Sequence, residues 1–123
     1  MIFTHALSNE DLAMLVKGAR LSVAPSLYEG FCMPMIESMA CGVPTIAANS
    51  SCLPEISGGL LRYFDPRSVE EMAVRINEAL ENESLRSELA EKGLNRAGEF
   101  GWGRCARETM ALLARVAGEG KQR

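Results

Sequence analysis

Glu29 and Glu37 bracket the part of the sequence best equipped for chemistry, and Gly30-Phe-Cys-Met-Pro34 follows directly on the first of them. Proline suits the opening of a helix, where a missing N–H loses no partner. Backbone N–H groups at such a start are unpaired and lie at the positive end of the helix dipole. The loop ending at Met33 therefore invites a phosphate or a sugar oxygen. Gly30 permits either a backbone conformation or a close approach that a side chain would obstruct. Carboxylates repel phosphate but accept hydrogen bonds from vicinal hydroxyls, as the acidic residue of dinucleotide sites does with ribose. A helix start that welcomes anions, flanked by two diol acceptors, fits a sugar nucleotide: diphosphate in the middle, a sugar at each side. Inorganic phosphate alone fits it poorly.

Strands and helices must alternate to present such a loop. Residues 1–4 form a short apolar run suited to a buried strand. Ser8 then caps a helix with Glu10 and Asp11 in its first turn, and Leu12, Leu15, Val16 and Ala19 recur at the spacing of a buried face. A second strand is predicted over 21–24, stopped by Pro25. The helix opening at Pro34 ends at Gly42, in the left-handed cap position, and Pro44 blocks its continuation. The unbroken apolar run 45–48 reads as a strand buried on both faces. Residues 53–56 suit one helical turn, and 60–64 a last short strand before Asp65-Pro66. Ser68 caps a helix with Val69, Met72, Ile76 and Leu80 on one face. A further helix starts near Ser84 and ends around 93–98. Trp102, as a packing anchor, leads into another with Met110, Leu113 and Val116 on one face. Alternation of this kind implies an α/β fold, a parallel sheet flanked by helices. Four short strands are fewer than a doubly wound sheet usually has, so the chain reads as the later half of a Rossmann-like domain. Residues 1–117 are assigned to one domain incomplete at its N-terminus, and 118–123 to a flexible tail.

Composition narrows the function classes. The chain has 123 residues and a net charge of −3, which argues against a broad nucleic-acid surface. No apolar run approaches the roughly 20 residues of a membrane-spanning helix. Cys32, Cys41, Cys52 and Cys105 are irregularly spaced and His5 is the sole histidine, a poor set for structural zinc. Unpatterned cysteines and seven methionines suit a reducing, cytoplasmic setting.

The segment 25–44, Pro-Ser-Leu-Tyr-Glu-Gly-Phe-Cys-Met-Pro-Met-Ile-Glu-Ser-Met-Ala-Cys-Gly-Val-Pro, resembles the Glu-x7-Glu signature of glycosyltransferase family 4. Those enzymes are retaining, of the GT-B fold, with two Rossmann-like domains and a cleft between them. The likeness extends over nearly the whole chain: Phe3-Thr-His-Ala-Leu-Ser8 before the signature, then Leu53-Pro-Glu-Ile56, Phe64-Asp-Pro66 and Phe100-Gly-Trp102. The resemblance implies that Glu29 contacts the transferred sugar near its anomeric centre, as the catalytic candidate. The backbone of Gly30, Phe31, Cys32 and Met33 would hold the sugar and distal phosphate, and Glu37 the nucleotide ribose. The turn around Leu7 would lie near the base. No metal and no cofactor are implied, because the helix end and nearby cations neutralise the diphosphate.

Two positions depart from the family's pattern. Cys32 and His5 stand where the family usually has a small residue, often glycine. A further departure concerns cations. The family's diphosphate-binding Arg and Lys lie upstream in the same domain, and its acceptor domain further upstream. Before the strand at 21–24 this chain has only Lys17 and Arg20, late in a helix expected to face solvent. The expected function is donor binding for transfer of a hexose from a nucleoside diphosphate sugar to a hydroxyl acceptor. The chain is expected to need a missing N-terminal acceptor domain and to be inactive alone. The alternative is a stand-alone or degenerate nucleotide-sugar-binding module without catalysis. An unrelated Rossmann-like dinucleotide or phosphosugar domain is disfavoured because no Gly-x-Gly-x-x-Gly follows the first strand. Self-association through an incomplete sheet is also expected.

Overall fold

The computed structural model describes residues 1–119. Its centre is a parallel three-stranded sheet in the order β1 (Ser22–Ala24), β2 (Thr45–Ala48), β3 (Arg62–Phe64). Ala24 pairs with Ala47, and Ala48 with Phe64. Successive strands sit side by side, so the loops that leave their carboxyl ends are neighbours as well. All four residues of β2 are buried, as expected of a middle strand covered on both faces. The single helical turn α3 (Leu53–Ile56) joins β2 to β3.

The helices α1 (Asn9–Lys17), α4 (Val69–Glu81) and α5 (Glu83–Ala97) start as local chemistry dictates. The side chains of Ser8, Ser68 and Asn82 accept from the N–H groups of Asp11, Glu71 and Leu85, each relieving one orphan donor of a first turn. The helix predicted from Pro34 is α2 (Met33–Ala40), with Pro34 in its first turn. Its end is a complete Schellman motif. Gly42, at φ 71°, donates to Met39 O at 2.9 Å, and Val43 donates to Ser38 O at 3.1 Å.

Along α2, Met35, Ile36, Ser38 and Met39 are buried, while Pro34, Glu37 and Ala40 face outward. Ser38 Oγ meets Ser22 Oγ of β1 at 2.9 Å and donates to Pro34 O at 2.9 Å. The inward face of α2 packs on β1, β2 and α5. Phe64, Met35, Met39, Ile46 and Leu53 are fully enclosed at the centre.

Several expectations of burial and strand formation fail for want of a packing partner. Residues 1–4 form no strand, and Met1, Ile2 and Phe3 are exposed. Among the described residues the sheet has three strands, not four. Leu12 and Leu15 of α1 are exposed and the helix buries no residue, so the predicted inner face has no layer opposite it. The last helix, α6 (Trp102–Glu119), forms where predicted. Yet Trp102, Met110, Leu113 and Val116 are all exposed, so Trp102 does not anchor it. In α4, Met72 and Ile76 reach the core while Val69 does not. Of the predicted tail, residues 118 and 119 belong to α6, and 120–123 lie outside the described residues.

Candidate functional site

The loop from Pro25 to Cys32 leaves the carboxyl end of β1 and turns directly into α2. What aims it is Cys32. This residue is the N-cap of α2, but its backbone is left-handed (φ 66°, ψ 66°) and its side chain caps nothing. Among the described residues, the N–H groups of residues 30–33 donate to no protein acceptor. The helix start is therefore left open to a ligand. Gly30 is open too: a Cβ there would meet nothing within 4 Å.

Glu29 is partly buried at the mouth of this loop and Glu37 stands exposed on the outer face of α2. Ser26 Oγ donates to Glu29 Oε1 at 2.9 Å, orienting the carboxylate. The backbone of Glu29 is held by the loop that follows β2. Its carbonyl accepts from Ser51 Oγ at 2.7 Å and from Cys52 Sγ at 3.2 Å. Ser50 Oγ donates to Ser26 O at 2.7 Å.

Phe31 turns its ring inward, against Phe100, edge to face, with centroids 5.4 Å apart and planes at 84°. Arg96 lies 4.9 Å over the Phe100 ring and donates to the carbonyls of Ile56 and Glu55. An apolar pocket of about 560 Å³ opens beside the helix start, lined in part by Phe31, Met33, Ile36, Phe100 and Trp102. Met33 is exposed at its rim.

Burial pushes the Cys32 thiol above its ordinary value. The Met35 N–H opposes that shift, and the Glu29 carboxylate and Cys52 reinforce it. Cys32 is thus a neutral neighbour of the site, a poor nucleophile. Among the described residues, no group of three His, Cys, Asp or Glu converges as a metal site would require.

Glu29, Gly30, Phe31, Cys32, Met33 and Glu37 thus lie on one loop and helix start. Leu7 sits beside the N-cap of α1, and among the described residues no hydrogen bond links 1–7 to this loop. His5 is left-handed, at φ 52°. Ser26, Ser50, Ser51, Cys52, Arg96 and Phe100 join the site although the sequence does not mark them as site residues. A signal for the three serines existed, since hydroxyl-bearing residues follow both β1 and β2 at one edge of a parallel sheet.

Residues 1–96 match the family of group 1 glycosyl transferases. The chain is 38% identical over 102 residues to O-antigen chain mannosyltransferase B of Escherichia coli, covering 83% of this chain and 27% of that protein. It is 37% identical over 122 residues to the MMP alpha-(1->4)-mannosyltransferase of Mycolicibacterium hassiacum, covering 93% and 30%. It therefore spans less than a third of the length of these relatives. Its fold superposes on sucrose-phosphate synthase of Thermosynechococcus elongatus with a TM-score of 0.84 at 26% identity, over 96% of this chain and 30% of that one.

Proposed function

The chain belongs to the group 1 glycosyl transferases, and from that premise we propose that it is the donor-binding portion of a retaining, family 4-type enzyme using the Glu29-x7-Glu37 signature. It moves a hexose from a nucleoside diphosphate sugar to a hydroxyl acceptor. The observation that carries this reading is the uncapped start of α2, with free N–H groups at residues 30–33 and one carboxylate to either side.

In this reading Glu29 accepts from hydroxyls of the transferred sugar near its anomeric carbon. The backbone of residues 30–33 holds the sugar and distal phosphate. When the anomeric C–O bond breaks, the charge of the departing diphosphate falls on those N–H groups, which are worth most where charge develops. Glu37, exposed one turn along, accepts the ribose diol. The turn at Leu7 serves the base. The mannosyltransferase names of two relatives favour a mannosyl donor.

Alone, this chain binds its donor without transferring from it. Arg20 donates to Leu80 O at 3.4 Å and Arg96 to the end of α3, so both guanidinium groups already have protein partners. Acceptor contacts come from a separate domain.

Calorimetric titration with GDP-, UDP- and ADP-sugars tests the site. Weak binding is expected, and Glu37→Ala should lower it by about tenfold or more, the loss of a charge-assisted hydrogen-bond pair. Equal binding of every donor by Glu37→Ala and parent refutes the ribose assignment.

A further inference from the structure

We propose that Ser51 is a positioning residue for Glu29. It lies 22 residues away in sequence, in the loop after β2, and touches both polar groups of the Glu29 peptide backbone. Its Oγ donates to Glu29 O at 2.7 Å and accepts from Glu29 N–H at 3.4 Å. Its neighbours complete the hold. Cys52 Sγ donates to the same carbonyl, and Ser50 Oγ secures Ser26 O. Ser26 in turn donates its hydroxyl to the Glu29 carboxylate. Three consecutive residues thus grip both ends of the turn 26–29, and the turn itself aims the carboxylate.

The backbone of Ser51 says that the hydroxyl matters. Ser51 is left-handed at φ 51° and exposed. Glycine adopts that conformation without strain, and exposure leaves little packing for a side chain to supply. A serine in a glycine conformation on the surface is accounted for by its hydrogen bonds. The parallel register supplies the geometry: β1 and β2 pair directly, so their departing loops meet at the ligand-binding edge. A carboxylate that accepts sugar hydroxyls gains from being held before the ligand arrives, because the ordering cost is met in the free protein.

This role rests on the reading that Glu29 contacts the donor sugar, and the test separates the two. Ser51→Gly removes the hydroxyl while suiting the backbone, so folding is preserved; Ser51→Ala removes it and keeps the strain. Amide hydrogen exchange at Glu29, read by NMR on the free chain, should quicken about five- to tenfold in both variants, the effect of one hydrogen bond. Affinity is then compared for GDP against GDP-mannose and for UDP against UDP-glucose. Glu29→Gln and Ser51→Gly should each erase most of the preference for the sugar-bearing ligand and leave the bare diphosphate within about twofold, because its N–H contacts are untouched. Unchanged exchange and unchanged sugar preference in Ser51→Gly overturn the proposal. If Glu29→Gln itself keeps the preference, the sugar contact is wrong. The positioning role then falls with it, whatever the exchange shows of the backbone grip.

Discussion

Met39 in α2 rests so closely on Gly93 in α5 that a methyl group on Gly93 would lie 3.2 Å from Met39 Cγ and 3.4 Å from its Cβ. The helix that carries Glu37 is seated on its neighbour through this contact. Glycine inside a helix costs about 1 kcal/mol relative to alanine, so its presence in mid-α5 has a packing reason.

Gly93→Ala should therefore fail to stabilise the chain. The helical gain of about 1 kcal/mol is offset by about 1–3 kcal/mol of overpacking, for a net loss between zero and about 2. Gly93→Leu should lose about 3 kcal/mol or more, since Met39 is fully enclosed and cannot retreat. Urea midpoints measure both, and a full alanine gain would show that Met39 moves aside freely.

Cys32 offers a test of left-handed strain at the helix start. Its side chain is 7% exposed and packs in the core, so truncation alone ranks Gly below Ala. At φ 66° a Cβ costs about 1–2 kcal/mol, which reverses that order. Cys32→Gly should thus melt above Cys32→Ala. The opposite order in thermal unfolding would mean that the loop relaxes out of the left-handed region.

The same thiol gives a pH dependence with a definite sign. Burial raises its pKa in the folded chain above the ordinary 9.0. Its contribution is whole below that unfolded value and is lost as pH climbs through the folded one. Between parent and Cys32→Ala, the difference in stability should shrink as pH rises above 9. Iodoacetamide on the native chain should modify exposed Cys105 first and buried Cys32 last.

Arg96 fastens α5 to α3 and steadies Phe100. Its Nε–H donates to Ile56 O at 2.8 Å and a second nitrogen to Glu55 O at 3.3 Å, while a third pairs with Glu99. These bonds satisfy the last carbonyls of α3 with a cation, as helix C-termini favour. Arg96→Ala should cost about 2–3 kcal/mol, and Arg96→Lys should recover less than half, lacking the planar fork. Broadened Phe31 and Phe100 ring signals in the NMR spectrum of Arg96→Ala would report the loosened pocket wall.

Much of the local structure was legible because its causes are local. Ser8, Ser68 and Gly42 mark helix ends through bonds spanning a few residues. The apolar run of β2 admits only a strand buried on both faces. The signature loop was legible for the same reason, since Gly30, Pro34 and Glu37 act within two turns of one another. Asn82, two residues before the predicted helix start at Ser84, shows the usual error in placing a boundary.

Periodicity misled where it needed a second surface. The apolar spacing of α1 and α6 predicted helices, and helices formed. It also predicted buried faces at Leu12, Leu15, Met110 and Leu113, all of which are exposed. A pattern at helical spacing fixes which side could be buried, but only a facing layer buries it.

The sequence alone determined where the helices begin to within a residue or two, that the sheet is parallel, and that Glu29, the 30–33 backbone and Glu37 share one loop and helix start. These depend on short-range hydrogen bonding and steric limits on the backbone. Tertiary structure alone decided that Ser51, 22 residues on, grips the backbone of Glu29, and that Arg96, 40 residues on, reaches Ile56. Such partners are set by strand register and helix packing. No residue type announces them, because a serine or an arginine can satisfy its hydrogen bonds with water until the fold brings the other side.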